Sequence, residues 1–81
     1  MIIISQAQTQ SVQIRTPWGI EPAVSFMNQF FVPTHSFRKL ESAIRTCRQD
    51  LEAGLFSIVV QSREQAQVCC PLPREIAQVV S

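Results

Sequence analysis

Between Ser36 and Ala53, apolar side chains recur at Phe37, Leu40, Ile44, Cys47 and Leu51 in steps of three and four. That spacing lines one stripe of an α-helix, with Ala43 at its margin. Ser36 is suited to cap the amino end, and Gly54 stands where a helix is commonly closed by glycine. Arg38, Glu41, Arg45, Arg48 and Glu52 occupy the other face, at spacings that allow alternating ion pairs. One amphipathic helix with a single greasy stripe needs a second layer to pack on, and the flanking sequence supplies strands.

After Gly54, "LFSIVVQ" is rich in β-branched and aromatic residues and reads as a strand. "SREQ" reads as a turn and "AQVCC" as a strand paired back, which stops at Pro71 or runs along an edge, since Pro71 has no N–H for a ladder. Pro73 fits the first position of a short helix, "PREIAQVV", with Ile76, Val79 and Val80 on one side. Upstream, "SFMNQFFV" reads as one strand ending at Pro33. "SVQIRT" alternates like an edge strand, and "PWGIEPA" between them reads as a loop. Residues 1–10 are expected to be frayed, and 11–81 to form a single small domain. The expected fold is α+β: a small antiparallel sheet of three to four strands with the helix packed on one face and no cover for the other.

At 81 residues the chain makes one domain with a small core. Seven basic against six acidic residues leave a net charge of +1, without the basic excess that phosphate neutralisation demands of a nucleic-acid binder. "MIIISQAQTQ" has neither the charged start nor the apolar length of a signal peptide, and no run reaches the ~20 residues of a membrane span. Three cysteines, two of them adjacent, favour a reducing, cytoplasmic setting.

Chemistry is sparse. Cys69 and Cys70 are adjacent in a strand, so one faces the helix, and Cys47, and the other faces away. The pair is either a thiol-based redox or metal sensor, which needs an exposed, activated thiolate, or part of the core, where free cysteines often lie as small hydrophobes. On this reading the cysteine facing away from the helix is the reactive one. The lone His35 and the three cysteines lack metal-ligand spacing. No nucleophile–base motif or glycine-rich phosphate loop occurs, so the expectation is a protein with no enzymatic activity, cofactor or metal. Trp18, in a Pro/Gly-rich stretch, either folds over the core or is presented to a partner together with Arg15, three residues away; Trp and Arg are the types most enriched in binding hot spots.

From Phe30 to Val60, "FFVP", "SFRKLESAIRTCRQDLEAG" and "FSIVVQ" follow the order of the small linker domain of cyanobacterial phycobilisomes: an aromatic strand into Val-Pro, a helix, a glycine and an Ile-Val strand. The stretch resembles that family over residues 30–60. It departs in its longer helix-to-strand spacing, in keeping Gly54 alone of the family's paired glycines, and in lacking the basic lead-in, so no chromophore contact carries over. The resemblance implies a small cyanobacterial regulatory protein acting on a larger complex in photosynthesis or nitrogen assimilation. The reading at this level is a regulator or adaptor that binds another protein. The alternatives are the Cys69/Cys70 sensor and a structural homodimer joined through the open sheet face or an edge strand.

Overall fold

The structure, a computed structural model, describes residues 1–73 and the backbone of 78–79. In chain order the elements are β1 (Ile3–Ser5), a single 3₁₀ turn (Gln6–Gln8), β2 (Gln10–Thr16), β3 (Gly19–Phe26), β4 (Gln29–Phe37), α1 (Leu40–Glu52), β5 (Ile58–Gln61), β6 (Ala66–Leu72) and β7 (Gln78–Val79). They form one sheet in the order β1-β5-β6-β4-β3-β2-β7. The class is α+β as expected, but the sheet has seven strands, not three to four, although β7 is only two residues long. It is also mixed: β1 runs parallel to β5, and the remaining pairs are antiparallel.

The connection from β1 to β2 bends this sheet. In the strand order β2 lies five lateral steps from β1, roughly 24 Å in a flat sheet at ~4.8 Å per step. The chain from Ser5 to Gln10 has five backbone steps and spans at most ~18 Å when extended. Its 3₁₀ turn shortens that reach further. The sheet therefore coils, and the face turned away from α1 closes on itself. Ile4, Val24, Phe31, Ile58, Val60 and Cys69 are buried there, with Ile2 and Phe26 packed against them. The sequence reading left this face uncovered; the curl of the sheet covers it. On the other face, Ala43 and Cys47 of α1 pack on Val59, Ala66 and Val68, flanked by Phe37, Leu40 and Leu51. A third cluster, Ile14 and Ala23 with Val12, Phe30, Val32 and Leu72, extends that face beyond the helix.

Several boundaries differ from the sequence reading for identifiable reasons. Within residues 1–10, expected to fray, Ile4 is buried and β1 is paired along its length with β5. The next turn is held by a capping box: the Ser5 N–H donates to Gln8 Oε1 (2.9 Å) and Ser5 Oγ accepts the Ala7 N–H (3.2 Å). Ser36 and Phe37 do not open the helix. They extend β4, opposite Gln67 and Ala66, and α1 begins after Lys39, which makes no side-chain cap. Gly54 does close the helix. At φ +88 it forms a Schellman motif, in which the Leu55 N–H donates to the Asp50 carbonyl (2.8 Å) and the Gly54 N–H to that of Leu51 (3.1 Å). Leu55 and Phe56 are consequently left outside the strand and exposed, and β5 starts only at Ile58.

"PWGIEPA" is not a loop but the turn into β3 and its first half. "SFMNQFFV" is not one strand but a hairpin: Phe26 pairs with Gln29 around Met27 and Asn28, both at positive φ (50° and 63°). A two-residue turn with both corners left-handed suits the strand twist but favours Asn-Gly. Met27 has no side-chain hydrogen bond to offset that conformation, and it is 79 % exposed. Replacing Met27 with Asn is expected to stabilise the protein by about 0.5–1 kcal/mol, read as a higher urea midpoint at unchanged slope. Of the expected helix "PREIAQVV", residues 74–77 and 80 lie outside the described residues, while Gln78–Val79 pair with β2 as a strand. Among the described residues no helix is long and apolar enough to cross a membrane.

Candidate functional site

The β2–β3 hairpin turns at Pro17 and Trp18, between the paired Thr16 and Gly19. Pro17 presets its own φ, and Gly19 takes φ +127 with nothing within 4 Å of a hypothetical Cβ, so glycine is there for the backbone angle and not for space. Thr16 pins the tip. Its buried hydroxyl accepts the Trp18 N–H (3.1 Å) and donates to the Gly19 carbonyl (3.1 Å). The backbone is thereby held while the indole is left outside: Trp18 is 73 % exposed. Of the two fates open to Trp18 in the sequence, folding over the core is not the one adopted.

Arg15 is exposed and lies opposite Ile20, which is 55 % exposed. The tip therefore presents Trp18, Ile20 and Arg15 on a braced hairpin. Ile20 was missed in the sequence because its segment was read as loop. Read as a strand opposite "SVQIRT", the same residues place it across from Arg15.

The cysteines divide differently from the expectation. Cys69 faces away from α1, yet it is fully buried in the inner cluster of the curled sheet. Burial, and to a smaller extent Cys70 beside it, push its thiol up to about 11. Cys47 is also fully buried, donates to the Ser57 carbonyl (3.3 Å), and is raised by burial and by Asp50. Cys70, on the helix side, is the half-buried one.

Cys70 Sγ sits in a small polar nest: Ser57 Oγ at 3.3 Å, Thr34 Oγ1 at 3.7 Å and Asp50 Oδ2 at 3.9 Å. The proton inventory of this nest is informative. Ser57 spends its hydroxyl proton on Asp50 Oδ2 (2.8 Å), and Thr34 spends its own on the Val68 carbonyl (3.1 Å). With both protons committed, Cys70 faces acceptors only and is itself the donor. His35 contacts Thr34 Oγ1 through Nδ1 (3.1 Å) and stacks on Phe37, and no described contact joins it to a thiol. Hydroxyl oxygens and a carboxylate around the sulfur are the opposite of the positive setting that activates a thiolate.

The two neighbours also point to opposite faces of β6, so a Cys69–Cys70 disulfide would require the strand to unwind. One reagent-accessible thiol is expected in the native protein, at Cys70, with Cys47 and Cys69 protected until unfolding. Mass spectrometry of pulse-labelled protein reads the difference between Cys70 and the other two. Among the described residues no group of three or more His, Cys, Asp or Glu side chains gathers as metal ligands would.

No family model matches the chain, and no curated protein or solved structure is found to match it. The likeness of residues 30–60 to the phycobilisome linker domain therefore rests on the order of its sequence features alone.

Proposed function

We propose that this protein works by binding another protein, as a small cytosolic regulator or adaptor, and that the β2–β3 hairpin tip is its contact surface. One observation carries the reading: the single tryptophan of the chain stands 73 % exposed on a turn that Thr16 holds rigid. A large apolar side chain in water has no stabilising role in its own fold, and a held backbone spares the ordering cost that a floppy loop would incur on association. Ile20 enlarges the apolar area, and Arg15 adds a fork of donors at its rim. The acceptor-lined surroundings of Cys70 support a role without thiol chemistry.

A photo-crosslinking amino acid placed at Ile20, in the cells that make the protein, tests this. The expected product is a single crosslinked species with a different protein, lost when Trp18 is replaced by Ala in the same chain. A crosslink only to a second copy would replace the adaptor with a homodimer. No crosslink, or one indifferent to Trp18→Ala, would remove the tip as the contact surface.

A further inference from the structure

β3 and β4 pair over only three positions, Phe26↔Gln29, Ser25↔Phe30 and Val24↔Phe31, although both strands continue. Extending the register sets Ala23 opposite Val32 and then Pro22 opposite Pro33. In an antiparallel ladder, residue pairs alternate between exchanging both hydrogen bonds and exchanging none. A two-residue turn closes on a bonded pair, so Phe26–Gln29 and Val24–Phe31 are bonded, and Pro22–Pro33 would be the next. The neighbouring strand agrees: Pro71, opposite Phe31 on β6, falls at a position where no N–H is called for from that side.

At the Pro22–Pro33 position each strand therefore brings a carbonyl and neither brings an N–H. Each carbonyl meets a proline nitrogen that has no hydrogen to give, so both acceptors go without a donor and the strands part. The opening is filled by two adjoining cavities of ≈ 390 Å³ and ≈ 280 Å³ that meet at Pro22, Pro33 and Gln67. Gln67 Nε2 donates to Ser36 Oγ (3.3 Å), which leaves its amide oxygen as a further acceptor. Glu21, on the wall of the smaller cavity, is half-buried and forms no ion pair among the described residues.

We propose that this slit binds a guanidinium group. Its polar complement is two prolyl carbonyls, an amide oxygen and a carboxylate, all acceptors, between the flat apolar walls of Pro22, Val32 and Pro33. A guanidinium is the matching shape: planar, weakly hydrated, with five N–H donors and no acceptor. An ammonium ion presents a compact, strongly hydrated charge and leaves the apolar walls uncovered. The site does not depend on the Trp18 tip and is measured without any partner.

The test is a titration of N-acetyl-arginine methylamide into isotope-labelled protein, following the backbone amides of Glu21, Ala23, Val32 and Gln67. Saturable shifts confined to that group are expected. The citrulline analogue, equal in shape but uncharged, should bind roughly tenfold or more weakly, as should the Glu21→Gln variant, for loss of a charge-assisted hydrogen bond. Pro22→Val supplies the missing N–H to the Pro33 carbonyl and should close the slit and abolish binding. If that variant fails to fold, citrulline and Glu21→Gln still decide. Tighter binding of the capped arginine than of free arginine assigns the guanidinium to a protein side chain, and the reverse order assigns it to a small molecule. Absent or scattered shifts, equal binding of citrulline, or undiminished binding by a folded Pro22→Val protein would overturn the proposal.

Discussion

Replacing Ile58 with Ala is expected to lower the unfolding free energy by about 3 kcal/mol, within the ~2–5 kcal/mol range for emptying a buried Ile or Leu site. Ile58 is fully buried in the inner cluster of the curled sheet, against Cys69 across the strand pair. The removed carbons lose their transfer free energy, and the walls, held by backbone hydrogen bonds on both sides, relax only partly into the space. For a domain of this size the whole stability is roughly 4–12 kcal/mol, so the variant should lose a large part of it. Ile20→Ala is the matched comparison: by strand alternation it lies on the same face of the sheet, but it is 55 % exposed. Its expected cost is under about 0.5 kcal/mol. Urea unfolding of both variants reads the difference, and equal losses would mean that the sheet does not close over Ile58.

Trp18→Ala is expected to do the reverse: to leave stability within about 0.5 kcal/mol of the parent and to weaken partner binding by about 2 kcal/mol or more, roughly thirtyfold. The indole contributes little to the fold because its surface is mostly in water, and the turn is held by Thr16 through backbone groups that Ala retains. On a partner the same side chain would be the largest apolar surface delivered by the tip. Thr16→Val separates presentation from contact. It removes the hydroxyl that accepts from Trp18 and donates to Gly19, so binding should fall while the indole remains. Calorimetric titration against the crosslinked partner, with the unfolding curve of each variant beside it, measures both effects.

What could be read from the sequence was local. The helix stripe, the glycine at its end, and the middles of β5 and β6 follow from side-chain periodicity and turn chemistry within short windows. Pro71, however, does not end β6 or mark an edge: the strand runs on to Leu72 between β5 and β4, because its missing N–H falls at a non-bonded position. β3 was hidden because Pro17 and Pro22 demote a strand, and nothing nearby shows that the imino side of Pro22 faces a gap. The Met27–Asn28 turn was hidden because it lacks the Asn-Gly signature that its backbone favours. Ser36 and Phe37 read as the helix start because their local preferences suit it, but pairing with β6 outcompeted the cap.

The curl is non-local. It comes from the short link between β1 and β2, which sit five steps apart in the sheet, and no window contains both facts. That gap in the reading misassigned the cysteines. Strand alternation correctly sent Cys69 and Cys70 to opposite faces, but the face away from the helix was assumed open. Whichever cysteine pointed there was therefore taken as the reactive one, and that cysteine is the buried Cys69. Trp18 was undecided for a related reason: whether a turn residue folds inward depends on what the rest of the sheet leaves uncovered.

The state of Trp18 decides the hairpin-tip contact most directly, and as the only tryptophan it can be read without interference. Protein made with 5-fluorotryptophan gives a single ¹⁹F resonance. The free protein is expected to show the shift and solvent-isotope response of an indole in water, and adding the crosslinked partner to move or broaden that resonance. A resonance insensitive to solvent in the free protein, or one unchanged by a saturating amount of the partner, would contradict the hairpin tip as the binding surface.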